Sequence, residues 1–128
     1  MIVPSIQNLP RNPRILIVED EALIAIHIAD ILQSHGFEVV GTCQSILQAF
    51  AHLENNDCCD AAILDAHLRN ESASAVATAL AQRKIPFVVF TGHGRAQLPT
   101  ELASAPVLAK PVNTEDLISE VKRLLVLR

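Results

Sequence analysis

Short apolar runs alternate along this chain with longer amphipathic stretches. Runs of four or so residues that stay apolar at every position are typical of strands buried on both faces of a parallel sheet. Their alternation with helically spaced segments indicates βαβ units. The pattern therefore predicts an α/β fold, a doubly wound five-stranded parallel sheet with strands near residues 15–18, 37–40, 61–64, 87–90 and 107–109.

The helices between these strands are predicted from apolar spacing and from capping residues. Ser72 and Asn113 are suitable N-caps, and Asp116 stands three residues after Asn113 in the capping-box position. Gly36 suits the end of the first helix, and Gly41 suits the end of the second strand. These signals place helices at about residues 21–35, 45–55, 72–83, 95–104 and from 113 onward.

Four of the five strands end in a side chain that can take part in phosphoryl chemistry. Glu19 and Asp20 follow the first strand, and Asp65, Thr91 and Lys110 follow the third, fourth and fifth. In the flavodoxin-like strand order 2-1-3-4-5, ligands bind outside the carboxyl ends of the strands, at the crevice between strands 1 and 3. This order predicts that the reactive side chains meet at one edge of the sheet.

Composition and charge narrow the class of function. The chain has 128 residues, half of them apolar, which predicts one folded domain over residues 14–128 behind a flexible extension at residues 1–13. The net charge of −4 argues against binding to nucleic acid. No apolar run approaches the roughly 18 residues of a membrane span, and no secretory signal is evident. Cys43, Cys58 and Cys59 are spaced for neither a disulfide framework nor a zinc site, so we expect free thiols in the cytoplasm.

Carboxylates that meet at one edge determine the expected cofactor. Glu19, Asp20 and Asp65 would repel one another unless a cation joined them. Oxygen ligands favour Mg²⁺, whose charge lets an anionic phosphoryl donor approach. A carboxylate can then act as a nucleophile and form an aspartyl-phosphate. Thr91 is placed to hydrogen-bond the phosphoryl oxygens and Lys110 to neutralise them.

Four motifs taken together resemble the receiver domain of two-component response regulators. They are ILIVEDE, AAILDA, FVVFTG and AKP, and the resemblance extends over residues 14–127. It implies a (βα)₅ receiver fold in which Asp65 is the phosphoacceptor. It also implies that Mg²⁺ is bound by the side chains of Asp20 and Asp65, by Glu19 through water and by the backbone carbonyl of His67.

The same resemblance assigns roles at the ends of the last two strands. Thr91 matches the switch hydroxyl of the family, and Lys110 matches its phosphate-pairing lysine. The bond between Lys110 and Pro111 is implied to be cis. The fourth strand also resembles that of a PFxFATGY-like subgroup of stand-alone receivers, from which Phe90 and His93 depart.

Two further departures from the family pattern concern the readout of the signal. Val107 stands where the family has its switch aromatic, so the usual coupling of hydroxyl and aromatic ring is in question. The common proline and Asp-Gly after the phosphoacceptor are replaced by Arg69, Glu71 and Ser72. This replacement predicts a more mobile polar loop over residues 66–71.

Four side chains carry sharper hypotheses, each with a plainer alternative. The resemblance places His67 and His93 at the mouth of the site, where a histidine can orient or deprotonate the hydrolytic water and so set the aspartyl-phosphate lifetime. The alternative is that both are solvated loop residues. Leu23 and Ile26 fall on the polar face of the first helix, which suggests a docking patch for the kinase. The alternative is ordinary scattered surface apolar residues.

The resemblance implies a signalling domain rather than a turnover enzyme. Its partners would be a sensor histidine kinase or phosphotransfer protein and an unknown downstream protein, unless it acts as a phosphate sink. Three alternatives stay open: a degenerate receiver that binds a partner without phosphorylation, an aspartate-nucleophile phosphatase, and a flavodoxin. Such phosphatases carry D-x-D after the first strand, where this chain has Glu19-Asp20-Glu21, and three acids there would repel a flavin phosphate.

Overall fold

The computed structural model describes residues 12–55, 57–69, 71–92 and 97–127. The predicted extension at residues 1–13 falls almost wholly outside these ranges, and so does His93. The strands are β1 (Arg14–Val18), β2 (Glu38–Cys43), β3 (Ala61–Asp65), β4 (His67–Leu68), β5 (Glu71–Ser72), β6 (Phe87–Thr91) and β7 (Val107–Ala109). The helices are α1 (Ala22–Ser34), α2 (Ile46–Leu53), α3 (Ser74–Gln82), α4 (Thr100–Ala103) and α5 (Thr114–Leu127).

Five of these strands form one parallel sheet in the order β2-β1-β3-β6-β7. The predicted fold class and strand order are confirmed, because β6 and β7 are the fourth and fifth strands of this sheet along the chain. Every residue of β3 and β6 is buried, and so is every residue of β1 after Arg14. Burial on both faces is the reason that these strands appear in the sequence as unbroken apolar runs.

Helices cover both faces of the sheet and divide the core into two layers. One layer joins α1 and α5 to the sheet and includes Ile17, Ile28 and Leu117. The other joins α2, α3 and α4 to the sheet and includes Leu16 and Leu80. Neighbouring strand residues enter opposite layers because successive side chains of a strand point to opposite faces. Neither layer has, within the described ranges, a helix whose length and hydropathy would let it cross a bilayer.

The prediction that Gly41 ends the second strand is wrong. β2 continues through Gly41 to Cys43, with a shift in its register against β1. A Cβ atom at Gly41 would lie 2.5 Å from Cε1 of His52 in α2. The glycine therefore lets the His52 ring approach the strand closely. In the sequence, the same glycine looks like an ordinary turn residue, so this tertiary contact could not be predicted.

The segment after β3, predicted as a polar loop, contains a short antiparallel hairpin of β4 and β5. Strands of two residues are too short to show any apolar alternation, so the sequence pattern could not reveal them. Ser72 lies in β5 and is not the N-cap of α3, which is Ala73 without a side-chain cap. The Ser72 hydroxyl instead accepts a hydrogen bond from the Ser74 N–H at 3.2 Å.

The two helices nearest the C-terminus differ in how well they match the sequence signals. α4 comprises Thr100–Ala103 and follows Pro99, so the described helix is much shorter than the predicted stretch at residues 95–104. The predicted cap of α5 is confirmed, since Oδ1 of Asn113 accepts a hydrogen bond from the Asp116 N–H at 3.0 Å.

Candidate functional site

The carboxyl ends of four parallel strands bring the predicted site residues to one edge of the sheet. Glu19 directly follows β1, Asp65 and Thr91 are the last residues of β3 and β6, and Lys110 directly follows β7. Glu19, Asp65 and Thr91 keep only 1%, 3% and 1% of their surface exposed. Buried ionisable groups are rare unless they are paired or functional, so this edge is the candidate site.

Lys110 connects the two most deeply buried carboxylates. Its Nζ lies 2.9 Å from Oδ2 of Asp65 and 3.5 Å from Oε1 of Glu19. The backbone N–H of Lys110 donates to the Thr91 carbonyl at 3.0 Å, which fixes the lysine backbone beside the end of β6. The peptide bond between Lys110 and Pro111 is cis, the geometry that the family resemblance implied.

Backbone N–H groups hold one oxygen of each of the three carboxylates Asp65, Glu19 and Asp20. Oδ1 of Asp65 accepts from the His67 N–H at 3.2 Å, and Oε2 of Glu19 accepts from the Glu21 N–H at 3.0 Å. Oδ2 of Asp20 accepts from the Arg69 N–H at 2.7 Å, across 49 residues of sequence. Hydrogen bonds of this kind fix the orientation of acidic side chains without adding positive charge.

The burial of Glu19 changes its acidity. Desolvation raises the pKa of its carboxyl from 4.5 to about 7, and a hydrogen bond and the charge from Asp65 push in the same direction. The Glu21 N–H and the Lys110 charge oppose the rise without cancelling it. Without a cation, Glu19 is therefore poised between its charged and neutral forms at neutral pH.

The pKa of Lys110 is raised as well, which for an ammonium favours the charged form. Burial alone would lower the pKa of its ammonium, but the hydrogen bond to Asp65 and the charges of Asp65 and Glu19 outweigh burial and raise the pKa above its usual value. Lys110 is consequently protonated at neutral pH and supplies a fixed positive charge beside Asp65.

The acidic residues after β1 have the character of a cation site. Glu19, Asp20 and Glu21 each offer one carboxylate oxygen, and these oxygens lie within 4.8 Å of one another. Oε1 of Glu19 is buried and accepts no hydrogen bond from the described residues, although the Lys110 ammonium is close. An all-oxygen donor set with an unsatisfied buried oxygen fits a hard divalent cation. Glu21 was not among the predicted ligands, and its position in a run of three acids was the signal available.

The other residues predicted from the sequence, Val107, His67, Leu23 and Ile26, lie outside this group of charged side chains. Val107 is half-buried in β7 opposite Val89 of β6, and its match to the switch-aromatic position stays a prediction. The side chain of His67 is exposed beside the site. Leu23 and Ile26 are 82% and 64% exposed on α1, as their predicted place on its polar face requires.

Comparison with known proteins assigns the family. The protein-family model described as the response regulator receiver domain matches residues 15–122 of this chain. The transcriptional regulatory protein PdtaR of Mycobacterium tuberculosis is 31% identical over an alignment of 113 residues that covers 85% of this chain and 55% of PdtaR. The chain thus spans about half the length of the curated relatives it matches.

Solved structures agree with this assignment. The solution structure of SdrG from Sphingomonas melonis Fr1 matches with a TM-score of 0.78 and 39% identity over 91% of this chain and 99% of SdrG. The BeF3-activated conformation of SdrG from Pseudomonas melonis Fr1 matches over the same shares with a TM-score of 0.76. The N-terminal domain of a response regulator/sensory box/GGDEF protein from Carboxydothermus hydrogenoformans matches at 26% identity, covering 89% of this chain and 94% of that domain with a TM-score of 0.78. This chain belongs to the response regulator receiver domain family, the receivers of two-component signalling.

Proposed function

We propose that this chain is a phosphoacceptor receiver that takes a phosphoryl group onto Asp65 from a sensor histidine kinase or a phosphotransfer protein, with Mg²⁺ as its cofactor. The carrying observation is the setting of Asp65, buried with the Lys110 ammonium 2.9 Å from one oxygen and the His67 N–H 3.2 Å from the other. The relative SdrG has a BeF3-activated conformation. Because BeF3 resembles a phosphoryl group in shape and charge, that conformation supports the proposal.

In the proposed reaction, a carboxylate oxygen of Asp65 attacks the phosphorus of a phosphohistidine on the donor. A bond forms between that oxygen and phosphorus, the bond between phosphorus and the imidazole nitrogen breaks, and its electron pair stays on the nitrogen. The products are an aspartyl-phosphate and the free histidine of the donor. Such transfer depends mainly on positioning and on compensation of charge, and Lys110 supplies both beside Asp65.

The acidic residues after β1 would hold the cation together with Asp65. Asp20 and Asp65 would ligate through their side chains, Glu19 through water and His67 through its backbone carbonyl, and Glu21 lies close enough to join them. When bound, Mg²⁺ supplies positive charge that offsets the carboxylates and the incoming phosphoryl oxygens. Lys110 would pair with one of these oxygens, and the Thr91 hydroxyl would hydrogen-bond another.

The phosphorylated state would be passed on through protein contacts to a downstream protein, or the domain would act as a phosphate sink. We further propose a reducing cytoplasmic location, which the free thiols of Cys43, Cys58 and Cys59 support. A second candidate function is a degenerate receiver that binds its partner without phosphorylation. Val107 at the switch-aromatic position favours that candidate.

The direct test is intact-protein mass spectrometry after incubation with acetyl phosphate, with and without Mg²⁺. We expect one Mg²⁺-dependent phosphoryl adduct in the wild type and none in Asp65→Asn. Asp57→Asn is the matched control, because it also removes a carboxylate but the Asp57 side chain is 89% exposed and away from the site. An adduct of equal yield in Asp65→Asn would contradict the assignment of the phosphoacceptor. The absence of any adduct in the wild type would favour the phosphorylation-independent binding module.

The proposed kinase docking patch is tested with the same readout. Leu23→Glu places a charge on an 82% exposed apolar position, and it should slow transfer from the cognate kinase while leaving acetyl phosphate labelling unchanged. Leu47→Glu is the control, because Leu47 is 81% exposed on a different helix, α2. Equal transfer rates for both variants would remove Leu23 and Ile26 from the proposal.

The two histidines are proposed to set the lifetime of the aspartyl-phosphate. His67→Ala and His93→Ala should each be measured between about pH 5.5 and 8, the range in which an imidazole titrates. If one histidine orients or deprotonates the hydrolytic water, its replacement should flatten the pH dependence of dephosphorylation. Lifetimes that follow the wild-type profile in both variants would leave them as solvated loop residues.

A further inference from the structure

The hairpin that follows the phosphoacceptor reaches across to the acidic residues after β1. β4 and β5 pair with Leu68 opposite Glu71, so the connection between them consists of the two residues 69 and 70. Arg69 has a φ of +58°, which is the left-handed region. In this conformation its N–H donates to Oδ2 of Asp20 at 2.7 Å, although 49 residues separate them in sequence.

The described residues before and after this connection are anchored. Leu68 is 1% exposed and belongs to the core layer formed with α2, α3 and α4. The Ala73 N–H donates to the Ala66 carbonyl at 3.1 Å and closes the base of the hairpin. The His67 N–H donates to Asp65 at 3.2 Å. The hairpin thus contacts the phosphoacceptor through one backbone amide and Asp20 through another.

We propose that Arg69 is a positioning residue for the cation site. Its backbone N–H, in a residue that takes the left-handed conformation, holds Oδ2 of Asp20 and so keeps this carboxylate in one orientation beside Glu19 and Glu21. This inference rests on the proposed function, since it concerns the same Mg²⁺ site. Groups that hydrogen-bond to metal-binding side chains fix their orientation, and their loss commonly weakens metal affinity by about 10- to 100-fold.

Because the N–H belongs to the backbone, the test must change the conformation of residue 69 and not the donor itself. A β-branched residue strongly disfavours positive φ, whereas asparagine tolerates it. Arg69→Val should therefore release Asp20, and Arg69→Asn should rescue the contact. Both variants lack the guanidinium, so any difference between them cannot come from the arginine charge.

A second position in the chain provides a matched control for the backbone effect. Lys84 is the other non-glycine residue with positive φ in the described ranges, at +59°, and it lies between α3 and β6. It is therefore at the opposite end of the sheet from the acidic cluster. Lys84→Val introduces the same conformational penalty far from the site and separates general destabilisation from loss of the contact.

The experiment is a calorimetric Mg²⁺ titration of the full chain, combined with amide hydrogen exchange measured by NMR. We expect Arg69→Val to weaken Mg²⁺ binding about tenfold and to remove the exchange protection of the residue 69 amide. Arg69→Asn and Lys84→Val should stay within about twofold of wild type. A well-dispersed amide spectrum of each variant shows that it is folded.

The outcomes separate this inference from the proposed function. Wild-type Mg²⁺ binding with the same affinity in Arg69→Val overturns the positioning role and leaves the proposed function intact. Equal weakening in Arg69→Val and Arg69→Asn also overturns it, because the side chain and not the backbone would then matter. No Mg²⁺ binding by the wild type would overturn both the proposed cofactor and this inference.

Discussion

At the amino end of the sheet, Arg14 hydrogen-bonds to Asp57 and Asp60 near the surface, whereas at the carboxyl end charged side chains are buried. The Arg14 N–H donates to Asp60 at 2.7 Å, and the Arg14 guanidinium donates to the Asp57 carbonyl at 2.6 Å. Glu19 and Asp65 are 1% and 3% exposed at the other end. The same buried strands connect the two ends, so the difference lies in the residues that flank those strands on each side.

The carboxyl end of the sheet is the region whose buried charges lower the free energy of unfolding. Charges are expensive to bury, and a lone cation does not compensate two carboxylates. Glu19 retains a buried oxygen without a hydrogen bond from the described residues and a pKa raised to about 7. The carboxyl end therefore carries unfavourable free energy in the metal-free protein that a bound cation would relieve.

The largest effect is expected from Lys110→Met. Removing the ammonium leaves Asp65 and Glu19 buried without their shared cation, and breaking a buried pair in this way costs about 3 kcal/mol of unfolding free energy. Broken buried pairs cost about 3 to 5 kcal/mol, and we expect the low end of this range because the lysine side chain is 27% exposed. Urea unfolding of the metal-free protein at about pH 8 measures it. Lys84→Met, an exposed lysine of the other end, should change stability by less than about 0.5 kcal/mol. Equal losses of unfolding free energy in Lys110→Met and Lys84→Met would contradict the proposed difference between the two ends of the sheet.

Mg²⁺ should stabilise the folded protein by about 2.7 kcal/mol when present at 100 times its dissociation constant. The carboxylates would gain a partner that the unfolded chain cannot supply. Thermal or urea unfolding with Mg²⁺, compared with K⁺ at equal ionic strength, measures the gain. Asp20→Asn should lose most of it and Asp57→Asn should keep it. The same gain with K⁺ would show general screening of charge and not a cation site.

The metal-free protein should become less stable as the pH rises through the range set by Glu19. Its pKa is about 7 when folded against 4.5 as the reference value, so the folded state binds the proton more tightly. The stabilisation is complete below about pH 4.5 and is lost as the pH rises through about 7, so the unfolding free energy falls by about 2.5 kcal/mol between about pH 5 and 8. Lys110, whose pKa is raised above 10.5, loses its contribution only at higher pH.

Glu19→Gln is the control for this pH dependence. Its unfolding free energy, measured with a chelator present, should change less between about pH 5 and 8 than that of the wild type. The variant should also exceed the wild type in stability at about pH 8, because no charge remains to be buried at residue 19. A wild-type slope that persists unchanged in Glu19→Gln would assign it to other groups.

The smallest effect is expected at the amino end. Arg14→Met removes an ion pair of 4.0 Å with Asp57, whose side chain is 89% exposed. Exposed pairs contribute less than about 1 kcal/mol, and the loss of the guanidinium hydrogen bond to the Asp57 carbonyl keeps the total near that value. Urea unfolding measures it. A loss as large as that of Lys110→Met would show that both ends depend equally on charge.

Much of the fold and part of the site can be predicted from the chain itself. The strands β1, β3 and β6 appear as apolar runs because burial on both faces demands apolar residues at every position. The edge strand β7 is also apolar, although its residues are only half-buried or exposed. Once those runs are parallel, the residue at the end of each run must lie at the carboxyl edge, and this reasoning alone predicts that Asp65 and Lys110 lie together.

The errors share one physical cause. Gly41 suggests a strand end because a glycine is locally a breaker, but contact with His52 decides its role. Ser72 suggests a helix cap, but pairing of β4 with β5 places it in a strand. Local signals such as these are overruled when a contact made in the folded chain is worth more than the preference of the single residue.

The order of residues is enough to dictate the sheet, its strand order and the set of reactive groups at its carboxyl edge, because apolar burial and parallel connection leave few other arrangements. How those groups meet is a property of the folded chain alone. It includes the raised pKa of Glu19 and the hydrogen bond from Arg69 to Asp20. Both features depend on how deeply a side chain is buried and on backbone groups that every residue possesses. The order of side chains in the sequence does not reveal either of these.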